Sequence, residues 1–252
     1  MRCVLSASLV LGLMLAAPLL ARADDDADMK ALIEKAIKAH GGAEKLAKNK
    51  ATTMKFKGKI YAVADGLDYT GEIAVQMPAQ VRSDIMFEAG GMKFAVVNLV
   101  NGDKGWISLN GKTDDMPKEA IDEAKEELYA GGLDHLVMLK EKEFKLSPLG
   151  ESKVGDKEAV GVKVAHKDHR DVSLYFDKKS GLLLKRENQI KDFQEGGAEK
   201  MQESIYDDYK DIDGVQHPMK LLIKRDGKNY VDAEVSDVKL LDKLDDKTFD
   251  KP

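Results

Sequence analysis

The hydrophobic pattern of the chain changes its period near Thr53, from a helical repeat to a two-residue repeat. From Ala27 to Asn49, apolar residues recur three and four positions apart, which predicts an N-terminal helix. Gly41-Gly42 interrupts this stretch, as glycine does just past a helix C-terminus, so a short second helix should follow. Beyond Thr53, apolar and polar residues alternate in successive short segments, which predicts half-buried strands.

Turn signals separate these alternating segments along most of the remaining chain. In the last segment the alternation changes phase at Ser236-Asp237, which predicts a β-bulge. About eleven short strands with hairpin-like spacing predict a mainly β fold, formed by a single large curved antiparallel sheet or incomplete β-barrel, because flat sheets of this size are unusual. The turn signals are Pro78-Ala79, Asn101-Gly102, Ser180-Gly181, Gly196-Gly197, Asp213-Gly214 and Asp226-Gly227.

One helical pattern interrupts the strands in the middle of the chain, at about residues 117–139. Ile121 and Leu128 lie on an apolar face whose opposite side is rich in glutamate and aspartate. A short apolar run from Leu133 to Leu139 follows this helix. We expect the insertion to cover the apolar concave face of the sheet.

The first 23 residues have the pattern of a secretory signal peptide. Arg2 precedes an apolar run from Val4 to Leu20, and Ala21-Arg22-Ala23 has the small-x-small form of a cleavage site. The run is slightly short for a membrane span and contains Pro18, so an uncleaved anchor is the weaker alternative. We therefore expect a periplasmic domain over residues 24–252 that does not span a membrane after cleavage.

Composition excludes some functions and sets one constraint on stability. The chain has 40 Lys and Arg against 45 Asp and Glu, a net charge of −5, which argues against a nucleic-acid partner. The sole cysteine is Cys3, so residues 24–252 cannot form a disulfide, and a packed core must hold the fold.

No catalytic motif stands out, and we expect no enzymatic activity, cofactor or metal. His166, Asp168, His169 and Asp171 could bind a metal, because histidine and carboxylate are its common ligands. Their position at a predicted turn favours solvated charges instead.

Five segments follow one another along the chain in a recognisable order: Ala39-His40-Gly41-Gly42, Val75–Arg82, Val100–Trp106, Tyr209–Pro218 and Asp246–Pro252. Together they resemble the outer-membrane lipoprotein-sorting proteins, the LolA/LolB-like carriers of the bacterial periplasm. One departure is Met77, which stands where the carriers have an arginine that holds the lid.

This resemblance implies an incomplete β-barrel with a helical lid at Pro117 to Leu139 and an apolar cavity for acyl chains. The implied function is a monomeric carrier or binder of lipid or lipoprotein acyl chains, with an envelope protein as a further partner. A filled-core interaction module of the cell envelope and an unrecognised enzyme on the same scaffold are the alternatives. The residues expected to contact the ligand are Met54, Phe56, Ile73, Val75, Ile85, Phe87, Phe94, Trp106, Leu136, Met138, Leu139, Phe176, Met219 and Leu221.

Overall fold

The computed structural model of the chain describes residues 20–61 and 66–252. Residues 1–19 of the predicted signal peptide lie outside this range. The α-helices are α1 (Leu20–Ala39), α2 (Ala43–Lys48) and α3 (Lys118–Gly132), and 3₁₀ turns cover Leu133–His135, Val137–Lys140, Phe193–Glu195 and Asp246–Phe249. The strands are β1 (Ala51–Ile60), β2 (Leu67–Gln76), β3 (Gln80–Ala89), β4 (Met92–Asn101), β5 (Lys104–Leu109), β6 (Lys112–Asp115), β7 (Lys145–Val154), β8 (Lys157–Ala165), β9 (Val172–Asp177), β10 (Leu183–Asp192), β11 (Ala198–Ile212), β12 (Val215–Arg225) and β13 (Lys228–Leu241).

The thirteen strands form one antiparallel sheet in the order β6-β5-β4-β3-β2-β1-β13-β12-β11-β10-β9-β8-β7. Two meanders, β1–β6 and β7–β13, therefore meet where the first strand pairs with the last. Among the described residues β6 and β7 remain edges, so the curved sheet is not closed. The predicted fold class is confirmed, with thirteen strands where about eleven were expected. The shortest strand, β6, contributes four polar residues that show no apolar alternation.

Two local features shape the junction between β1 and β13. The predicted bulge at Ser236-Asp237 is confirmed: Lys239 and Ser236 pair with Thr53 and Lys55, so β13 advances three residues where β1 advances two. Asp237 adopts a left-handed backbone with φ of 51°. At Gly58 an added Cβ atom would lie 1.8 Å from the carbonyl oxygen of Asp232, so only glycine permits this approach.

Cross-strand pairing shows that one face of the sheet is continuous through this junction. Tyr206, Leu221, Ala233 and Gly58 are successive partners on β11, β12, β13 and β1, and directly opposed side chains point to the same face. We call this the inner face. The helical insertion lies on it between the two meanders, since Ile121 packs against Gly105 of β5 and Ala130 accepts a hydrogen bond from Arg186 of β10.

The helices cover the two meanders unequally. On β8–β10 the inner side chains Val162, Leu174 and Phe176 are fully buried in one core with residues of α1 and the insertion. On β1–β5 the inner apolar side chains remain mostly half-exposed, and Leu109 is 48% exposed.

The C-terminal segment packs on the opposite, outer face of β3–β5. Phe249 is only 1% exposed, and its carbonyl oxygen accepts a hydrogen bond of 3.2 Å from Asn101 Nδ2. Arg82 Nη1 donates to the carbonyl oxygen of Thr248 at 3.4 Å. The chain terminus is thereby fastened to the first meander.

We predict that Gly58→Ala destabilises the protein, because the new methyl group would clash with backbone rather than with a movable side chain. The expected loss is about 1–3 kcal/mol in the free energy of unfolding, measured by urea denaturation. Gly131→Ala is the matched control, since its Cβ would meet only Arg186 Nη1 at 3.6 Å inside a helix. That variant should be about 0.5–1 kcal/mol more stable. Equal stability of Gly58→Ala and wild type would contradict the close approach of β1 and β13 at Gly58.

Candidate functional site

Carboxylates of α3, which we call the lid helix, face the sheet and bind polar side chains. Asn188 Nδ2 and Gln202 Nε2 donate to the two carboxylate oxygens of Glu127 at 2.5 and 2.6 Å. Glu123 accepts from Arg170 Nη2 at 2.8 Å and from the backbone N–H of Lys191 at 2.9 Å. The charged side of this helix is therefore part of its attachment to the sheet.

A largely buried ion pair fastens the end of the insertion, with side-chain exposures of 9% for Arg186 and 25% for Asp134. Arg186 Nη1 donates to Asp134 Oδ2 at 2.5 Å and to the carbonyl oxygen of Ala130 at 3.4 Å. Burial, the largest single influence, would lower the pKa of Arg186. The charge of Asp134 together with Tyr206, Glu127 and the hydrogen bond to Asp134 more than offsets it, so the pKa is raised above its usual value. The hydroxyl of Tyr206 donates to the same Asp134 oxygen at 2.6 Å, and burial raises its pKa well above the usual value.

The β8–β9 loop holds the lid helix from another side. His169 stacks on Tyr129 with ring centroids 3.6 Å apart, and its Nδ1 lies 2.7 Å from Glu126 Oε1. The expectation of solvated charges at this turn is therefore wrong for His166 and His169, which pack against Phe144 and Tyr129, whereas Asp168 and Asp171 are exposed. Over the described part of the chain, no group of three or more histidine, aspartate or glutamate residues is placed to hold a metal ion.

The apolar run after the lid helix packs in the core of the second meander. Leu136 and Leu139 are 0% and 3% exposed and share this core with Ile33 of α1 and with Phe176. Met138 packs against its border. In this arrangement these predicted ligand contacts are core residues, and they do not lie on the exposed part of the inner face.

The structure brings seven other predicted residues together on the inner face of β1–β5. All seven are half-exposed, and we call this surface the open groove. Two pairs of rings lie on it, Phe87 with Phe94 at 5.2 Å and Phe56 with Tyr69 at 5.6 Å between centroids. Gly71 leaves room for the Phe56 ring, which a Cβ there would approach to 2.5 Å. The seven residues are Met54, Phe56, Ile73, Val75, Ile85, Phe87 and Phe94.

Three predicted residues lie beyond the open groove. Met219 and Leu221 are half-buried on the inner face of β12. Trp106 pairs with Leu99 on the outer face, where Lys251 Nζ of the C-terminal segment lies 5.9 Å from its ring centroid. Trp106 therefore does not belong to this surface, because its strand position points away from it.

A shallow pocket of about 450 Å³ lies where β2, β3 and β4 approach their hairpin tips. Of its lining residues, Tyr69, Phe87 and Phe94 have inner-face positions, whereas Thr70, Met86 and the others on these strands point outward. This pocket lies at the rim of the sheet and shares Phe87 and Phe94 with the open groove.

Sequence reasoning missed the polar anchors of the lid. Arg186 and Asn188 alternate with Lys185 and Glu187, so the strand shows no apolar alternation that would mark its inner face. The only available signal was an uninterrupted run of polar residues in a predicted strand. Met77, which stands at the position of the carriers' arginine, contacts the lid helix instead: a Cβ at Gly132 would lie 2.4 Å from its methyl group.

Three comparisons with solved structures identify the fold. A LolA superfamily protein from Nitrosomonas europaea matches with 15% identity and a TM-score of 0.52, over 88% of this chain and 97% of that protein. A DUF1329 family protein from Desulfovibrio piger matches with 14% identity and a TM-score of 0.52, over 88% and 96% of the two chains. A lipoprotein-sorting protein domain from Vibrio parahaemolyticus has 12% identity and a TM-score of 0.52, over 87% and 97%.

The chain therefore has a LolA-like fold, and the resemblance seen in the sequence is confirmed at the level of structure. No protein-family model and no curated protein sequence matches it significantly. Within residues 20–61 and 66–252, none of the helices has the length and apolar character needed to cross a membrane.

We predict that Arg186→Met destabilises the protein by about 3–5 kcal/mol, because it leaves Asp134 without its buried counter-charge. The additional change Asp134→Asn should recover part of this loss in urea denaturation. Arg82→Met is the control, since its partner Asp84 is 41% exposed. It should cost at most about 1 kcal/mol. Strictly additive losses in the Arg186–Asp134 double variant would contradict the coupling.

We also predict that stability falls on mild acidification, because three histidines near the insertion, buried His40 and half-buried His135 and His217, lie away from bulk water. Burial lowers the pKa values of His40, His135 and His217 below the usual 6.5, so the unfolded chain binds more protons under acidic conditions. The melting temperature should drop between about pH 7.5 and about pH 5.5. His135→Gln with His217→Gln should reduce that drop, whereas exposed Lys142→Gln should not. An undiminished drop in the histidine variant would contradict this assignment.

Proposed function

We propose that this chain is a non-enzymatic periplasmic carrier whose open groove binds an apolar ligand. The observation that supports this most directly is the unequal covering of the inner face. The helices pack over β8–β10, while the aromatic and aliphatic side chains of β1–β5 remain half-exposed. Contiguous exposed apolar surface on a folded protein marks a binding site.

The chemistry of the groove suits hydrocarbon. Its ring pairs and Met54 offer a broad apolar surface, and methionine adapts to irregular ligands. Burying a methylene group contributes about 0.8 kcal/mol, so ten of them would supply about 8 kcal/mol before the costs of association. No covalent chemistry is needed for this function.

The fold and the predicted signal peptide support the same proposal. The solved protein from Vibrio parahaemolyticus is described as an outer membrane lipoprotein-sorting protein domain. A cleaved signal over residues 1–23 would deliver this chain to the periplasm.

We predict that residues 24–252 bind the neutral fluorescent probe N-phenyl-1-naphthylamine and that Phe87→Asp abolishes most of this binding. A carboxylate in the groove would oppose burial of the probe, so affinity should fall by about tenfold or more. Met86→Asp is the matched control, because Met86 points to the outer face and is 61% exposed. Circular dichroism should show that both variants remain folded.

Two outcomes would count against the proposal. Equal loss of binding in both variants would contradict the assignment of the site to the inner face. If the wild-type protein does not enhance the fluorescence of the probe at all, the carrier proposal fails and the interaction-module hypothesis takes its place.

A further inference from the structure

One polar pair interrupts the apolar surface of the open groove. Ser83 of β3 and Asn98 of β4 are direct cross-strand partners on the inner face, in one row with Ile73 and Ile107. Both are half-buried. Neither side chain forms a hydrogen bond with another residue in the part of the chain that the structure describes, so their polar atoms are available to a ligand.

These two side chains impose a condition on any ligand that covers them. Both the serine hydroxyl and the asparagine amide can donate and accept hydrogen bonds. Covering them with pure hydrocarbon would remove the water molecules that hydrate them and leave their hydrogen bonds unmade, at a cost of about 1–3 kcal/mol for each unsatisfied group. A ligand with its own hydrogen-bonding group at this position avoids that cost and is held in one orientation.

The groove offers no charge to pair with an ionised ligand. The inner positions of β1–β5 carry no lysine, arginine, histidine, aspartate or glutamate among the described residues. Lys112 and Asp114 of β6 occupy the next inner positions, opposite Leu109 and Ile107. Burying an ionised carboxylate at Ser83 and Asn98 would therefore be costly, because no cation among the inner positions of β1–β5 meets it. An uncharged hydroxyl or ester fits the same two side chains without that penalty.

The helical cover limits the part of the inner face that is free for hydrocarbon. The second meander is filled by its own core, in which Leu133, Leu136 and Leu139 are all buried. The lid helix is fastened over β10 and β11 by Glu127, and the turn that follows it by Asp134. The free apolar surface lies on β1–β5, with half-buried Met219 and Leu221 of β12 beyond it.

On the basis of the proposed function, we propose that the ligand is an uncharged amphiphile with one hydrocarbon chain. Its hydroxyl or ester group would bind between Ser83 and Asn98. Its chain would lie along Phe56, Phe87 and Phe94. This class includes fatty alcohols and monoacylglycerols. It excludes ionised fatty acids and triacylated lipopeptides as preferred ligands.

Competition for bound N-phenyl-1-naphthylamine tests this assignment. Dodecanol and monolauroylglycerol should displace the probe from the wild-type protein at concentrations about tenfold lower than laurate does. A tripalmitoylated lipopeptide should not displace it. The inference would be overturned if laurate displaced the probe at the same concentrations as dodecanol, or if the lipopeptide displaced it at lower concentrations than monolauroylglycerol. Either result would leave the proposed function intact.

Two variants test the polar pair itself. Ser83→Val with Asn98→Leu should weaken displacement by monolauroylglycerol by about tenfold, while binding of the apolar probe stays equal or becomes stronger. Thr53→Val, a polar-to-apolar change on the outer face of β1, should leave both unchanged. If the double variant does not fold, Ser83→Ala alone should still weaken monolauroylglycerol selectively. Unchanged competition in a folded variant would overturn the inference, whereas a wild-type protein that binds no probe would instead refute the proposed function.

Discussion

The buried ion pair between Arg186 and Asp134 decides how the inner face of this sheet is divided. Taking two charges out of water is costly, so such a pair is stable only where the two groups stay together. The arginine belongs to β10 and the aspartate to the insertion, so their attraction places the insertion over the second meander. The leucines that follow the lid helix then complete a core there. The first meander keeps most of its apolar surface exposed, because the lid helix reaches it only near Gly105, where Ile121 packs.

The other polar contacts of the lid helix also hold it on the second meander, but some polar atoms at this interface have no hydrogen-bond partner. Asp134 Oδ1, Arg186 Nε and Asn188 Oδ1 are buried and have no hydrogen-bond partner among the described residues. A buried polar interface with unmet hydrogen bonds is less stable than one in which all are satisfied. The lid helix is therefore attached both by buried apolar residues such as Ile121 and Leu128 and by a few charged groups at defined positions.

Much of the fold could be predicted from the sequence, because alternation and turn glycines report local geometry. The bulge at Ser236-Asp237 and the hairpin at Asn101-Gly102 are examples, since each depends only on neighbouring residues. The environment of a residue depends on which distant segment covers its face of the sheet, and the local sequence does not carry that information. Trp106 alternates like its neighbours but faces the C-terminal segment, and Leu136 belongs to an apolar run that could equally line a cavity. The seven groove residues were predictable because one regular meander, without register shifts between β1 and β4, carries them all.

The pairing of β1 with β13 has a consequence for the order in which the protein can assemble. Ala51 pairs with Leu241, so the first strand of the sheet finds one of its two neighbours only after nearly the whole chain is available. Pairing between residues so distant in sequence is slow to form, because a long loop must close first. During synthesis or export from the N-terminus, β1 can pair with β2 while its other edge has no partner strand. The nascent first meander is then an incomplete sheet with an exposed apolar face and an unpaired edge. An intermediate of this kind aggregates unless it is shielded.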